Sequence, residues 1–269
     1  MKLVKLSFIF LFLLTAIAHS EKIIERYDYS GQINKFINYK TNIMLPGGNW
    51  TATGIAKEAT GARWMGVLFS LFEDDKVVAT ILTWAPREVS SNGWNPNDNI
   101  ICDDYESQGS NYHYISEKSY SKGWIKGDLA CHNIYVENKV DNGYCPSCDE
   151  VQNTFQYWDN HGIETPSSLV HIGFSFLEKQ NWVDMTISLN PEFAGFDDKP
   201  NIWWEQSEWH RSQIGKHPEK DDFMNNVISK SSKLRESLFK EFQRGKKGVM
   251  NLSDQRILSS LLPLSENLK

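Results

Sequence analysis

The sequence lacks the short motifs that mark the common enzyme classes. It contains no G-x-S-x-G nucleophile elbow, no P-loop, no G-x-G-x-x-G dinucleotide fingerprint and no H-E-x-x-H zinc pair. Six of the seven histidines lie after residue 20, and none of them has the spacing of metal ligands. These six are His113, His132, His161, His171, His210 and His217. The sequence therefore predicts neither a cofactor nor a metal site.

Basic residues are scarce relative to acidic ones. The chain has 28 Lys and Arg against 34 Asp and Glu, a formal net charge of −6. Two of the lysines, Lys2 and Lys5, lie in the first 20 residues, so the rest of the chain is more acidic still. Binding to nucleic-acid phosphates or to an anionic membrane depends on clusters of Lys and Arg. The charge balance predicts that neither is a partner.

The first 20 residues are typical of a signal peptide. A basic start precedes an almost unbroken apolar run from Leu6 to Ile17, and Ala18-His19-Ser20 offers small residues for cleavage. The run is shorter than the about 20 apolar residues that span a membrane, which disfavours the alternative of an uncleaved anchor. We expect a secreted or periplasmic protein of residues 21–269, one domain with no integral membrane span.

Cysteine is rare, with four residues in the chain. All four lie after the predicted leader, at Cys102, Cys131, Cys145 and Cys148. An even number of cysteines in an exported protein predicts disulfides, here two. Three pairings are possible, and we favour Cys102–Cys131 with Cys145–Cys148 because the second pair is close along the chain.

The spacing Cys145-Pro146-Ser147-Cys148 allows two other interpretations. At a helix start the pair could be redox-active, because the helix dipole stabilises a thiolate, and the chain would then be a thiol–disulfide oxidoreductase. Asp149 and Glu150 oppose this by placing negative charge at the same end. A structural zinc site could use the cysteines, or His132 in place of Cys131, but such sites usually pair two short-spaced knuckles. We favour structural disulfides.

Two stretches alternate apolar and polar side chains with the period of a β-strand. Residues 170–189 alternate on both sides of a polar break, which predicts an antiparallel hairpin with one buried face. Residues 64–85 form a second such pattern that is apolar on both faces. Internal duplication is suggested by the similarity of Phe69–Glu73 to Phe174–Glu178, although a period of two alone produces much of it. After a one-residue slip in the turn, four residues of the returning strand also match, namely Val77, Ala79, Thr80 and Ile81 with Val183, Met185, Thr186 and Ile187.

Helical patterns are concentrated towards the C-terminus. Asp149–Asn160 carries apolar residues at helical spacing, and Ser147 with Glu150 forms a capping box. Residues 218–244 predict a long helix with one apolar stripe.

Strands within residues 43–190 and helices within residues 203–262 are segregated rather than alternating. This order favours an α+β fold, a mainly antiparallel sheet or sandwich built around the two similar hairpins and packed with C-terminal helices. The polar stretch from Arg87 to Gly143 predicts long surface loops with a few short strands.

Ten tryptophans are an unusual number for this chain length. Exposed aromatic side chains in an exported acidic protein often stack on sugars or anchor a protein interface. The candidates for such binding are Trp124, Trp203, Trp204 and Trp209. The alternative is that these rings fill the core, as large aromatic side chains usually do.

The sequence as a whole predicts an exported, disulfide-stabilised binding module that meets a glycan or a protein surface and is not an enzyme. The first alternative is the oxidoreductase that would act through Cys145 and Cys148. The second is a hydrolase whose acid, base and nucleophile come from distant positions. His171, on the outer face of the predicted hairpin, is expected to be a solvated or lightly hydrogen-bonded imidazole rather than a site residue.

Overall fold

The computed structural model describes residues 35–37, 42–46, 48–57, 64–86, 113–120, 129–138, 149–178, 181–196, 203–243, 249–251 and 260. The predicted signal peptide lies outside these residues. The described strands are β1 (Lys35–Ile37), β2 (Asn42–Met44), β3 (Trp50–Lys57), β4 (Trp64–Glu73), β5 (Lys76–Pro86), β6 (His113–Tyr120), β7 (Leu129–Asn138), β8 (Ser168–Glu178), β9 (Asn181–Leu189) and β10 (Val249–Asn251). The described α-helices are α1 (Asp149–Asn160), α2 (Arg211–Ile214) and α3 (Pro218–Gln243).

Seven of these strands form one antiparallel sheet in the order β3-β4-β5-β9-β8-β7-β6. The sheet therefore consists of two consecutive meanders that meet where β5 pairs with β9, with Ile81 opposite Ile187. A smaller sheet has the order β1-β2-β10, in which β10 is parallel to β2. An antiparallel sheet packed with helices confirms the α+β class. The strand β10, however, lies in the part of the chain that was expected to be helical.

One face of the large sheet, here called the core face, packs against α3. Phe69, Ile81, Ile187 and Ile172 lie side by side on β4, β5, β9 and β8, and all four are buried. The ring of Phe176 lies 5.7 Å from that of Phe239 and 5.8 Å from that of Phe242, both on α3. Burying a side chain of this size stabilises the fold by about 1.5–3 kcal/mol.

The apolar stripe of α3 confirms the prediction of a long amphipathic helix. Its buried residues include Phe223, Val227, Leu234 and Leu238. Within the described part of the chain, no helix is both long enough and apolar enough to cross a membrane.

The opposite face of the sheet, here called the outer face, is covered at one end by α1, which contacts β3 and β4. Gly54 allows this close approach, because a Cβ at that position would lie 1.8 Å from a backbone carbonyl oxygen of α1. Thr53 Oγ1 lies 2.8 Å from Ser70 Oγ and 3.2 Å from Thr154 Oγ1 of the helix. Buried hydroxyl groups at this end of the outer face thus bond to one another.

Between residues 87 and 143, where long surface loops with a few short strands were expected, the structure describes two strands, both longer than expected. Both β6 and β7 are full strands, and β7 pairs with β6 on one side and with β8 on the other. Its polar residues His132 and Asn133 are buried. The sequence indicated loops because β7, although it is paired on both sides, carries polar residues such as His132 and Asn133.

The two meanders contain the antiparallel pairs β4–β5 and β8–β9, but the two pairs have different registers. Phe69 lies opposite Ile81, whereas Phe174 lies opposite Met185. The sequence similarity matches Phe69 with Phe174 and Ile81 with Ile187, so identical hairpins would place Phe174 opposite Ile187. The residue pairing therefore does not support duplication, which stays a prediction.

Candidate functional site

The candidate binding tryptophans fall in different environments. Trp203 is 62% exposed, the one large hydrophobic residue with that degree of exposure among those described. Trp204 and Trp209 are buried in the main core, where the ring of Trp209 lies 6.0 Å from that of Phe223. Their rings are thus not available for stacking on a glycan, which corrects the expectation for these two residues. Trp124 lies outside the described residues.

The cysteines are mostly outside the described residues too. Cys131 is buried on β7, and its sulfur is disulfide-bonded. Cys102, Cys145 and Cys148 are not described, so the pairing and the redox alternative both stay predictions. A disulfide sulfur is not a thiolate ligand, which argues against zinc at Cys131. Among the described residues no three His, Cys, Asp or Glu are placed to hold a metal ion.

His171 is buried at 7% exposure and hydrogen-bonded, so of the two expected states the structure shows the bonded imidazole and not the solvated one. Its Nδ1 lies 2.9 Å from Ser188 Oγ, and its Nε2 lies 3.2 Å from Glu137 Oε2. The ring of Tyr135 stacks on the imidazole at 4.6 Å. Burial alone would raise the pKa of Glu137, but the charge and the hydrogen bond of His171 lower that pKa below its usual value. Glu137 is therefore a carboxylate near neutral pH.

Strand pairing brings this group together. Tyr135, His171 and Ser188 lie directly opposite one another on β7, β8 and β9, so all three side chains point to the outer face. The alternation in residues 170–189 could have indicated His171 and Ser188 as neighbours. Nothing local indicated that β7 would supply Tyr135 and Glu137.

Asp184 forms a second polar group on the same face. Ser175 Oγ donates a hydrogen bond to Asp184 Oδ1, and Trp182 Nε1 donates to the same oxygen at 2.8 Å. Burial raises the pKa of Asp184 to about 6, although both hydrogen bonds act in the opposite direction. No hydrogen bond reaches Oδ2 from the described residues. At neutral pH this is a fixed carboxylate with one acceptor oxygen open.

Asn133 lies between these two groups. It is 3% exposed, and neither Oδ1 nor Nδ2 has a hydrogen-bond partner in the described part of the structure. Asn133 is directly opposite Gly173 on β8. A Cβ at Gly173 would lie 1.9 Å from Asn133 Oδ1, so the amide lies across β8 in the space that the missing side chain leaves. From there it extends towards Thr186 on β9, the other neighbour of Gly173.

We call the outer-face positions around Gly173 the polar site: Asn133, Gly173, Ser175, Asp184 and Thr186. Thr186 and its neighbour Leu82 on β5 are half-buried, while the other members of the site are buried. The site is thus most open at Thr186.

Trp84 and Glu150 lie on the side of the polar site that faces α1. Trp84 is opposite Asp184 on β5, and its Nε1 donates to Glu150 Oε1 at 3.2 Å. Burial raises the pKa of Glu150, while hydrogen bonds from its own backbone and from Trp84 partly counter the rise. The side chain that was expected to cap α1 therefore accepts a hydrogen bond from the sheet.

Within the described residues, the polar site combines an amide without hydrogen-bond partners, a carboxylate with one oxygen that accepts no hydrogen bond, and a half-buried hydroxyl. Such an arrangement can bind a ligand by hydrogen bonds on both donor and acceptor atoms. No protein-family model, curated protein or solved structure gives a significant match to the chain.

Proposed function

We propose that this chain is an exported, non-enzymatic binding protein and that the polar site holds a small polar ligand. The observation that carries the proposal is the buried amide of Asn133, which lacks partners among the described residues. Leaving a buried polar group unsatisfied costs about 1–3 kcal/mol, and nearly all buried polar groups in proteins are paired. A ligand that bonds to this amide would offset the cost.

The raised pKa of Asp184 independently supports a binding function. A raised pKa means that the fold disfavours the ionised form, so this carboxylate is held at a cost in stability. Groups that destabilise the free protein and point to one place are typical of binding sites. Two such groups, Asn133 and Asp184, flank Gly173 on the outer face.

The test is the variant Asn133→Leu, which removes the polar atoms and keeps a similar volume. We expect its free energy of unfolding to equal or exceed that of the wild type by up to about 3 kcal/mol, because an unsatisfied amide is lost. Asn226→Leu is the matched control, because Asn226 is exposed on α3. A clear loss of stability in Asn133→Leu would mean that the amide has a structural partner, and would overturn the proposal.

Binding is measured by thermal shift against a panel of neutral sugars, amino acids and polyamines. A compound that raises the melting temperature of the wild type and of Asn226→Leu, but not of Asn133→Leu, supports the proposal. Equal shifts in all three proteins, or no shift with any compound, contradict it.

A second candidate function is favoured by the contacts of His171. The Ser188 hydroxyl lies 2.9 Å from His171 Nδ1, and His171 Nε2 lies 3.2 Å from the Glu137 carboxylate. Nucleophilic hydrolases use the same order of hydroxyl, imidazole and carboxylate. Ser188 is only 4% exposed in the middle of β9, so binding ranks first. A fluorophosphonate probe that labels the wild type but not Ser188→Ala would show a hydrolase, and an unlabelled wild type would exclude a reactive Ser188.

Export rests on the first 20 residues and is tested separately. The intact mass of the protein recovered from its own source should correspond to a chain that begins at Glu21. A mass that includes residues 1–20 would contradict cleavage.

A further inference from the structure

We infer that the ligand of the polar site is a neutral sugar residue, free or at the end of a glycan. This inference rests on the proposed function and adds the chemical class of the ligand. It follows from the donors and acceptors of the site, from its charge and from the spacing of its groups.

The polar site contains more hydrogen-bond acceptors than donors, so its ligand should donate more hydrogen bonds than it accepts. Asp184 Oδ2 and Asn133 Oδ1 can only accept, Asn133 Nδ2 can only donate, and the hydroxyl of Thr186 can do either. The ligand must therefore present at least two donors and one acceptor within a small volume. Neighbouring hydroxyl groups meet this requirement, because each of them both donates and accepts.

The charge of the surrounding strands disfavours an anion. The sequences of β7, β8 and β9 contain no Lys or Arg, while Glu137 and Asp184 are carboxylates near neutral pH. A ligand carboxylate or phosphate beside them would be repelled by like charge, which would weaken its binding. Glu137 faces His171 outside the polar site, so the charge within the polar site is the single carboxylate of Asp184, to which Ser175 and Trp182 donate hydrogen bonds.

The spacing fits one ring. Gly173 lies directly opposite Thr186, and Asp184 is two residues from Thr186 on β9. Asp184 is therefore the diagonal neighbour of Gly173. Diagonal positions on one face of an antiparallel pair are about 7–8 Å apart. With the Asn133 amide over Gly173, a single ring can bond to the amide on one edge and to the Asp184 carboxylate on the other. The half-buried Leu82, opposite Thr186, borders the open side, where apolar surface suits the C–H face of a sugar.

The experiment compares matched sugars. Glucose, galactose, mannose and N-acetylglucosamine are titrated into the full-length exported protein, followed by the uronic acids and the amino sugars of the same hexoses, using calorimetry. We expect at least one neutral sugar to bind, its uronic acid to bind at least about 10-fold more weakly, and Asp184→Asn to weaken the neutral sugar about 10-fold. Asn226→Leu should leave the affinity unchanged.

The outcomes separate the ligand class from the proposed function. A uronic acid that binds as tightly as its neutral parent, or an amino sugar that binds while the neutral parent does not, overturns the assignment of a neutral sugar. An amino acid or a polyamine that binds in an Asn133-dependent manner also overturns it, but leaves the binding function in place. Sugar binding that Asn133→Leu does not alter overturns both.

Discussion

The amide of Asn133 on β7 lies over Gly173 on β8, so close that a Cβ at position 173 would be 1.9 Å from Oδ1. The absence of one side chain on β8 therefore determines where a side chain of β7 goes. It places an amide without partners among the described residues between two carboxyl-containing groups, His171 with Glu137 and Asp184 with Ser175. This relationship is the basis of the polar site.

Gly173→Ala should displace the Asn133 amide. Overpacking of this kind typically costs about 1–3 kcal/mol, and we expect that loss in the free energy of unfolding measured with urea, together with weaker ligand binding. Gly215→Ala is the matched control, because nothing lies within 4 Å of a Cβ at Gly215. In an Asn133→Ala background the cost of Gly173→Ala should shrink. An undiminished cost in that background would show that the two residues are not coupled.

Asp184→Asn should stabilise the protein near neutral pH and lose this advantage in acid. The pKa of Asp184 is raised from 3.8 to about 6, so the folded state binds more protons than the unfolded state between these values. Stability of the wild type therefore falls as pH rises through that window, by up to about 3 kcal/mol. Asparagine does not titrate between these pH values, and its amide oxygen can still accept the hydrogen bonds from Ser175 and Trp182.

The measurement for Asp184→Asn is the difference in unfolding free energy between variant and wild type at about pH 7.5 and about pH 4, the range in which the carboxyl titrates. The difference should favour the variant at the higher pH and shrink towards pH 4. A difference that does not change with pH would contradict a raised pKa for Asp184.

Ser231→Ala should weaken the attachment of α3 to the sheet. Ser231 Oγ lies 3.0 Å from Nε2 of the buried His132 on the core face of β7. Leaving one member of a buried hydrogen bond without its partner lowers the free energy of unfolding by about 1–3 kcal/mol. Urea denaturation measures this loss. Ser229→Ala makes the same change at an exposed position of the same helix and should stay within about 0.5 kcal/mol of the wild type. Equal effects of the two variants would show that the contact with His132 contributes nothing.

Cys131 should pair with Cys102, and Cys145 with Cys148. Non-reducing peptide mapping by mass spectrometry checks this pairing directly. Because Cys131 is buried on β7, we expect it to be alkylated only after both denaturation and reduction. A peptide that links Cys131 to Cys145 or to Cys148 would contradict the pairing, and alkylation of the native unreduced protein would contradict the disulfide.

Much of the secondary structure could be predicted from local patterns. Residues 64–85 and 170–189 have strand periodicity, and both regions form antiparallel pairs. Asp149–Asn160 matches α1, and the helix predicted from Pro218 to Arg244 matches α3. These patterns suffice because alternate residues of a strand, and residues three or four apart on a helix, meet the same environment.

The polar site could not be predicted in this way. Asn133 lies in a stretch whose composition resembles a surface loop, and His171 and Asp184 have the spacing of solvated residues on an outer face. Their burial depends on β7 pairing with β8 and on β8 pairing with β9. The candidate tryptophans also depended on tertiary structure: Trp204 and Trp209 were expected to be exposed for binding, but they pack in the core.

The order of residues along the chain was enough to specify the α+β class and which side of the β8–β9 hairpin is apolar, because both depend on side-chain periodicity within short segments. Which polar side chains are buried, and which of them share a site, depended on the pairing of strands that are distant in sequence. Asn133 and Asp184 are 51 positions apart. Hydrogen-bonded register across β8 brings them to the two sides of Gly173, and no local pattern carries that information.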